Sequence, residues 1–269
     1  MTTFTADPLS DVLQNEARGL HAVVVALHSS ASNSRQWGAW KKALAPTIEF
    51  VAPDLLGYGS DGSWSTGHRV TLADEVFAIS RHFLHREQPV HLVGHSYGGA
   101  VALEVALRYP ERVQSVTLYE PVRFGLLRAF EEPTWLDILE IGQRVAELVE
   151  SGQQSLAAAL FVDYWSGTGT WDRLSLEKQR PLAELTPKVS ADFGALFGDE
   201  VPPEAYRQIR VPVRLMHGTT SPEPVLRIAE RLARLLPNVD CRRLDGLGHM
   251  APLQAADRVL AASGLERLR

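Results

Sequence analysis

Cysteine is almost missing from this chain: Cys241 is the single one in 269 residues. It has no partner for an internal disulfide or a structural zinc site, so neither crosslink can hold the fold. Its plain role is that of a small apolar side chain in or beside a strand. Long apolar runs are missing too. The longest, such as Ala22 to Leu27, fall far short of the ~20 residues that span a bilayer. Basic runs are also lacking. The 27 Lys and Arg are scattered among 32 Asp and Glu, for a net charge of −5, which leaves no electrostatic footprint for nucleic acid. The opening stretch MTTFTADPLSDVLQNEARG carries Asp7, Asp11 and Glu16 and no apolar centre, unlike a secretory leader. The expectation is a soluble, cytoplasmic protein without membrane or nucleic-acid partners.

What is present suits a sizeable globular core, with 45% hydrophobic and 22% charged residues. Short β-branched runs recur at 22–28, 48–54, 89–95, 112–120, 211–218 and 239–246. Most are apolar on both faces, as strands covered on both sides by helices must be. Helical patterns lie between them at 34–45, 71–86, 98–109 and 224–236, the last ending at Pro237. Alternation of this kind predicts a mostly parallel sheet with right-handed crossovers, and ligands beyond the strands' carboxyl ends. The rhythm breaks from about Pro121 to Tyr206, a stretch rich in Trp and Phe without a convincing strand. We expect an α/β core from 1–121 and 207–269, with 122–206 inserted as a helical cap. No internal repeat or low-complexity tract is visible.

One turn stands out. Residues 90–109 read VHLVGHSYGGAVALEVALRY, a buried-type strand running through Gly94-His95-Ser96-Tyr97-Gly98 into a strong helix former. Gly-x-Ser-x-Gly in a strand–turn–helix context is the nucleophile elbow. The turn strains the serine backbone, and the flanking glycines let strand and helix pass without Cβ clashes. The helix then aims its N-terminal N–H groups and positive dipole end at any oxyanion formed there. The alternative, a glycine-rich turn with an incidental serine, has no use for a downstream base. A serine hydroxyl needs such a base to attack. Of nine histidines, His249 lies in Leu247-Gly248-His249-Met250, directly after the last predicted strand. His217, at a strand end, is its competitor. His95 is expected to pack at the elbow.

With LHSSASNSRQW (27–37), APDLLGYGSD (52–61), VGHSYGG (93–99) and GLGHMAPL (246–253), the chain resembles the α/β-hydrolase fold family over nearly its whole length outside the insert. The resemblance implies a cofactor-free serine hydrolase that binds no metal. It also implies a Ser–acid–His triad and an oxyanion hole of two backbone N–H groups, those of Tyr97 and Ser30. Three departures mark this chain. Ser29 stands where the family has glycine, and the usual N-terminal β-hairpin is scarcely visible. The position that carries the family's acid, in Gly218-Thr219-Thr220-Ser221, holds a hydroxyl. A serine cannot hold an imidazolium by charge. Glu120, ending the strand after the nucleophile helix, is the expected substitute, with Glu223 as runner-up. Asp54 is read as organising its own turn, and Asp245 as too close in sequence to His249.

These readings converge on hydrolysis of carboxylic ester-like bonds of a small molecule with an apolar group. Tyr164, Trp165 and Trp171 are expected to wall its pocket. A C–C bond hydrolase or acyltransferase on the same fold is the enzymatic alternative. A hydrolase-derived binding or receptor protein with a residual triad is the non-enzymatic one.

Overall fold

The computed structural model describes residues 22–59 and 64–268. Six strands form one sheet: β1 (Ala22–Leu27), β2 (Ile48–Val51), β3 (Val90–His95), β4 (Val113–Tyr119), β5 (Val213–Gly218) and β6 (Val239–Leu244). Their order is β2-β1-β3-β4-β5-β6, with every neighbouring pair parallel. This is the α/β architecture expected from the alternating pattern. The question of an N-terminal hairpin falls on residues 1–21, outside the described residues.

Helices cover both faces. α1 (Gly38–Leu44) lies on one face, and α2 (Leu72–Ile79) and α3 (Tyr97–Arg108) on the other. The start of α2 is fixed by a capping box, in which the Thr71 hydroxyl takes the Asp74 N–H and the Asp74 carboxylate takes the Thr71 N–H. Between β4 and β5 the chain makes only helices: α4 (Phe124–Ala129), α5 (Thr134–Glu150), α6 (Gln154–Ser166), α7 (Leu176–Glu184) and α8 (Thr186–Phe197). Their apolar sides, through Ile138, Val145, Trp165, Val189 and Phe193, join the same core cluster as β3, β4 and α3. α9 (Glu223–Leu235) buries Val225, Ile228, Ala229, Leu232 and Leu235, the one-sided spacing of an amphipathic helix. α10 (Ala251–Gln254) and α11 (Ala256–Ser263) complete the order. β6 is the edge strand, so its middle residues, Cys241 among them, are exposed rather than apolar and covered. Among the described residues no helix is long and apolar enough to cross a membrane.

The chain leaves β1 first toward β2, then returns to place β3 on β1's other side. That reversal opens a crevice beyond the carboxyl ends of β1 and β3, where open α/β sheets bind ligands. The loop Ser29-Ser30 leaves one of these strands and Ser96 leaves the other. Ser96 sits at φ 54°, ψ −118°, a region that costs an L-residue about 1–3 kcal/mol. Neighbouring glycines make the turn possible. A Cβ on Gly94 would lie 2.6 Å from the Gly98 oxygen, and one on Gly98 would lie 2.3 Å from the Leu27 oxygen.

The β1 loop is pinned by His28, which is fully buried. Its Nδ1–H donates to the Ser29 carbonyl at 2.8 Å, and its Nε2 accepts the Leu55 N–H at 3.0 Å. Burial holds its pKa down at about 4, from an ordinary 6.5.

Two outcomes follow from these contacts. Gly98→Ala drives a methyl into backbone and is expected to destabilise the fold by about 3 kcal/mol or more, measured by urea denaturation. His28 stays neutral in the folded state while the unfolded chain takes up a proton below pH 6.5. Its contribution is therefore complete above that pH and is lost as pH falls toward 4, at up to about 1.4 kcal/mol per unit. Stability curves of the protein and of His28→Gln between pH 7 and about 4 should converge on acidification. Parallel curves would refute the buried neutral imidazole.

Candidate active site

β3 ends at His95 and β4 at Tyr119, so the next residues, Ser96 and Glu120, stand side by side at the sheet's carboxyl edge. His249 reaches the same edge from the loop after β6. Its Nε2 lies 2.9 Å from Ser96 Oγ and its Nδ1 lies 2.7 Å from Glu120 Oε2. All three side chains are buried, with Glu120 fully so. The second oxygen of Glu120 accepts the Gly218 N–H at 2.7 Å and the Ser221 hydroxyl at 2.5 Å. Ser221 thus completes the shell of the carboxylate from the turn that follows the neighbouring strand.

The loop carrying His249 is clamped. His95 Nε2–H donates to the His249 carbonyl at 2.9 Å, and the Tyr119 hydroxyl to the Gly248 carbonyl at 2.8 Å. The Thr220 N–H donates to the Leu247 carbonyl at 3.0 Å. Burial and the neighbouring His249 push the His95 imidazole well below its usual pKa, so it stays a neutral donor.

The competing residues lie elsewhere. Glu223 is half exposed at the start of α9 and pairs with Arg227 at 2.6 Å. Asp245 is exposed beside Arg243. Asp54 accepts the Ser34 N–H at 2.6 Å and organises its loop. His217 turns its Nδ1 to the Gly218 carbonyl. His91 is buried in β3 with its Nδ1 2.8 Å from the Ser115 hydroxyl.

Ser29 occupies the position where the resemblance implies a glycine. Its N–H and its hydroxyl both go to Gln36 Oε1, at 3.2 and 3.1 Å. The loop is therefore tethered by Gln36, and the next N–H, that of Ser30, has no acceptor among the described residues. The same holds for the Tyr97 N–H at the first turn of α3. Ser30, Ser96 and His249 line one pocket.

The side chains of Ser30 and Tyr97 run into a buried polar cluster. Ser30 Oγ and the Tyr58 hydroxyl each donate to Asp192 Oδ2 at 2.6 Å. Lys188 Nζ donates to Asp192 Oδ1, and to Glu75 Oε1 at 3.0 Å. The Tyr97 hydroxyl donates to Glu75 Oε1 at 3.1 Å. The two carboxyl groups beside Lys188 hold its ammonium above the usual lysine range, against the opposing effect of burial. Sequence reasoning missed this cluster. Its one trace is the i, i+4 spacing of Lys188 and Asp192 on a helix that otherwise buries apolar residues.

Of the three aromatics expected to wall the pocket, Trp165 does so, its ring lying on His249 with centroids 4.2 Å apart. Tyr164 and Trp171 are corrections. Tyr164 packs edge-on behind Trp165, one step away around α6. Trp171 sits in a turn whose N–H is tied to Asp163 at 2.8 Å. The wall is made instead by Val122, Phe124, Phe161, Phe193, Leu196 and Met250, with Val189 and Asp192. Phe161 and Trp165 are one helical turn apart, as are Val189, Phe193 and Leu196 along their own face. That spacing is the signal that could have found them.

A model of the alpha/beta hydrolase family matches residues 24–262. Over 101 residues the chain is 35% identical to the lipase LipV of Mycobacterium tuberculosis, a match that spans 37% of each protein and so well under two thirds of that relative. It is 25% identical over 266 residues to a 2-hydroxymuconate semialdehyde hydrolase of Pseudomonas putida, covering 91% of this chain and 86% of that one. Among solved structures, a hydrolase from Pseudomonas aeruginosa PA01 superposes with a TM-score of 0.73 at 19% identity, over 91% of this chain and 89% of that chain. At that identity the likeness speaks for the fold. The family match runs from within β1 to within α11, and on that span the chain belongs to the alpha/beta hydrolase family.

Proposed function

We propose that this chain is a cofactor-free serine hydrolase that cleaves carboxylic ester-like bonds through Ser96, His249 and Glu120. The observation that carries the reading is the continuous hydrogen-bonded line Glu120–His249–Ser96, at 2.7 and 2.9 Å. It leaves the Nε2 lone pair facing the hydroxyl and the Nδ1–H donating to the Glu120 carboxylate. Ser96 Oγ attacks the carbonyl carbon as His249 takes its proton. The new oxyanion is held by the N–H groups of Tyr97 and Ser30, each worth about a hundredfold or more in rate. His249 then hands its proton to the leaving oxygen, and a water activated by the same imidazole releases the acid from the acyl-enzyme. Glu120 holds the tautomer and stabilises the imidazolium. The Trp165 face, 4.2 Å away, favours that cation further.

We read α4 to α8, within residues 122–206, as a cap over this line. It supplies Phe124, Phe161, Trp165, Phe193 and Leu196, a wall suited to an apolar or aryl acyl group. A second reading, hydrolysis of a C–C bond by the same three residues, is favoured by the long match to the Pseudomonas putida hydrolase. Turnover of simple aryl esters but not of vinylogous diketones separates the first reading from the second.

A fluorophosphonate probe is expected to label Ser96 rapidly, and Ser96→Ala to lose several orders of magnitude in kcat. A silent serine, with ligands bound but not turned over, points to the receptor-like alternative. Glu120→Gln should cost about a thousandfold or more through the wrong tautomer, while Glu223→Gln should cost nothing. Because Ser221 Oγ lies 2.5 Å from Glu120 Oε1, the double variant Glu120→Gln, Ser221→Asp is expected to recover part of the loss. Equal activity of Glu120→Gln and the parent protein contradicts the acid assignment.

A further inference from the structure

The pocket around Ser96 is lined mostly by apolar side chains. Beyond Ser96 and His249 its polar lining includes Ser30 and Asp192, and the chemistry of that part is set by where its protons go. A serine hydroxyl has one proton to give. Ser30 gives it to Asp192 Oδ2, which also receives the Tyr58 proton, both at 2.6 Å. The other Asp192 oxygen is held by Lys188, whose second carboxyl partner is Glu75. The Tyr97 hydroxyl proton goes to Glu75 as well. The hydroxyl protons of Ser30, Tyr58 and Tyr97 are thus all committed to the cluster, where two carboxyl groups share one ammonium. What is left to offer the pocket is the lone pairs of Ser30 Oγ, polarised by the buried Asp192 carboxylate behind it. This acceptor surface belongs to the same residue whose N–H stands ready for the substrate carbonyl oxygen. A group bound to it therefore lies within a carbon or so of that carbonyl.

We propose that Ser30 and Asp192 form an acyl subsite that selects esters of arylacetic type with a hydroxyl or ammonium on the carbon next to the carbonyl. The same subsite turns away esters with a carboxylate at that carbon. It deepens the serine-hydrolase reading and rests on it. The donor on the substrate meets an oxygen already polarised by a carboxylate, which strengthens the bond. A carboxylate in the same place meets lone pairs and like charge, with no donor to receive it. The aromatic wall holds the aryl ring in either case.

Four methyl esters differing at one carbon test this: phenylacetate, mandelate, phenylglycinate and the half-ester of phenylmalonate. Their kcat/KM values are read by pH-stat for the parent protein, Ser30→Ala and Asp192→Asn. The readout is the ratio to phenylacetate within each variant, which cancels folded fraction and the intrinsic reactivity that all variants share. Ser30→Ala keeps the backbone N–H and leaves the Lys188 cluster in place, so it decides the matter if Asp192→Asn fails to fold. The expected result is a drop of about tenfold in the mandelate ratio for either variant, the value of one hydrogen bond. The phenylglycinate ratio should drop with it, and the bar against the phenylmalonate half-ester should relax in Asp192→Asn. A mandelate ratio that Ser30→Ala leaves within about twofold overturns the subsite. If Ser96 is labelled by a fluorophosphonate and esters turn over, that failure belongs to the subsite alone. If Ser96 is not labelled and no ester turns over, the hydrolase reading has failed and the subsite falls with it.

Discussion

A carboxylate sealed from water must find its hydrogen bonds inside the protein, and much of this site is arranged around that demand at Glu120. Left unpaired, such a group costs several kcal/mol. It is fully buried and accepts from His249 Nδ1, the Gly218 N–H and the Ser221 hydroxyl. Those three partners come from three different segments: the loop after β6, the end of β5 and the turn before α9. Holding one charge thus fixes the relative positions of β4, β5 and the histidine loop. The further clamps on that loop, from Tyr119 and His95, arise from the ends of β4 and β3. The line through His249 to Ser96 inherits its geometry from this packing rather than from any mobile side chain.

Backbone strain collects at the same edge. Four non-glycine residues among those described have positive φ, and three of them, Ala31, Ser96 and Glu120, follow β1, β3 and β4. Each is the point where a strand is turned sharply so that a functional group or amide projects over the sheet. Such conformations persist only where the surroundings over-determine them. Here the surroundings are close backbone contacts, as between Gly98 and the Leu27 carbonyl, and the Ser96 N–H held by Tyr119 O at 3.1 Å.

Local features were legible in the sequence, and distant ones were not. The elbow could be read because glycine, serine and the flanking strand and helix lie within a few residues of one another. All six strands could be read from β-branched runs, although the edge position of β6 could not, because exposure depends on which strand ends the sheet. Glu120 can be reached by subtraction, since Ser221 offers only a hydroxyl where the resemblance implies an acid and a glutamate closing an apolar strand needs a reason. Around α6 the same reasoning fails for two residues: Tyr164, Trp165 and Trp171 look alike as aromatics, but helical phase turns Tyr164 away from His249 and Trp171 lies beyond the helix in a turn. Asp192 was invisible because its partners are Ser30, Tyr58 and Lys188, two of them far away in the chain.

That long-range cluster ties two parts of the fold together at the place where chemistry is proposed. Lys188 and Asp192 belong to α8, in the stretch between β4 and β5, while Glu75 belongs to α2 of the core. Through them the ammonium of Lys188 links the side chain of Ser30 to that of Tyr97, the two residues whose N–H groups have no acceptor among the described residues. A buried ammonium without its carboxyl partners is strongly disfavoured, and so are those carboxyl groups without it. The helix α8 therefore has one favourable seating on the core. In that seating its apolar face presents Val189, Phe193 and Leu196 to the pocket, while its charged face sets the polar side. A single helix thus contributes to both the shape and the polarity of the pocket, through the phase of residues 188 to 196 around its axis.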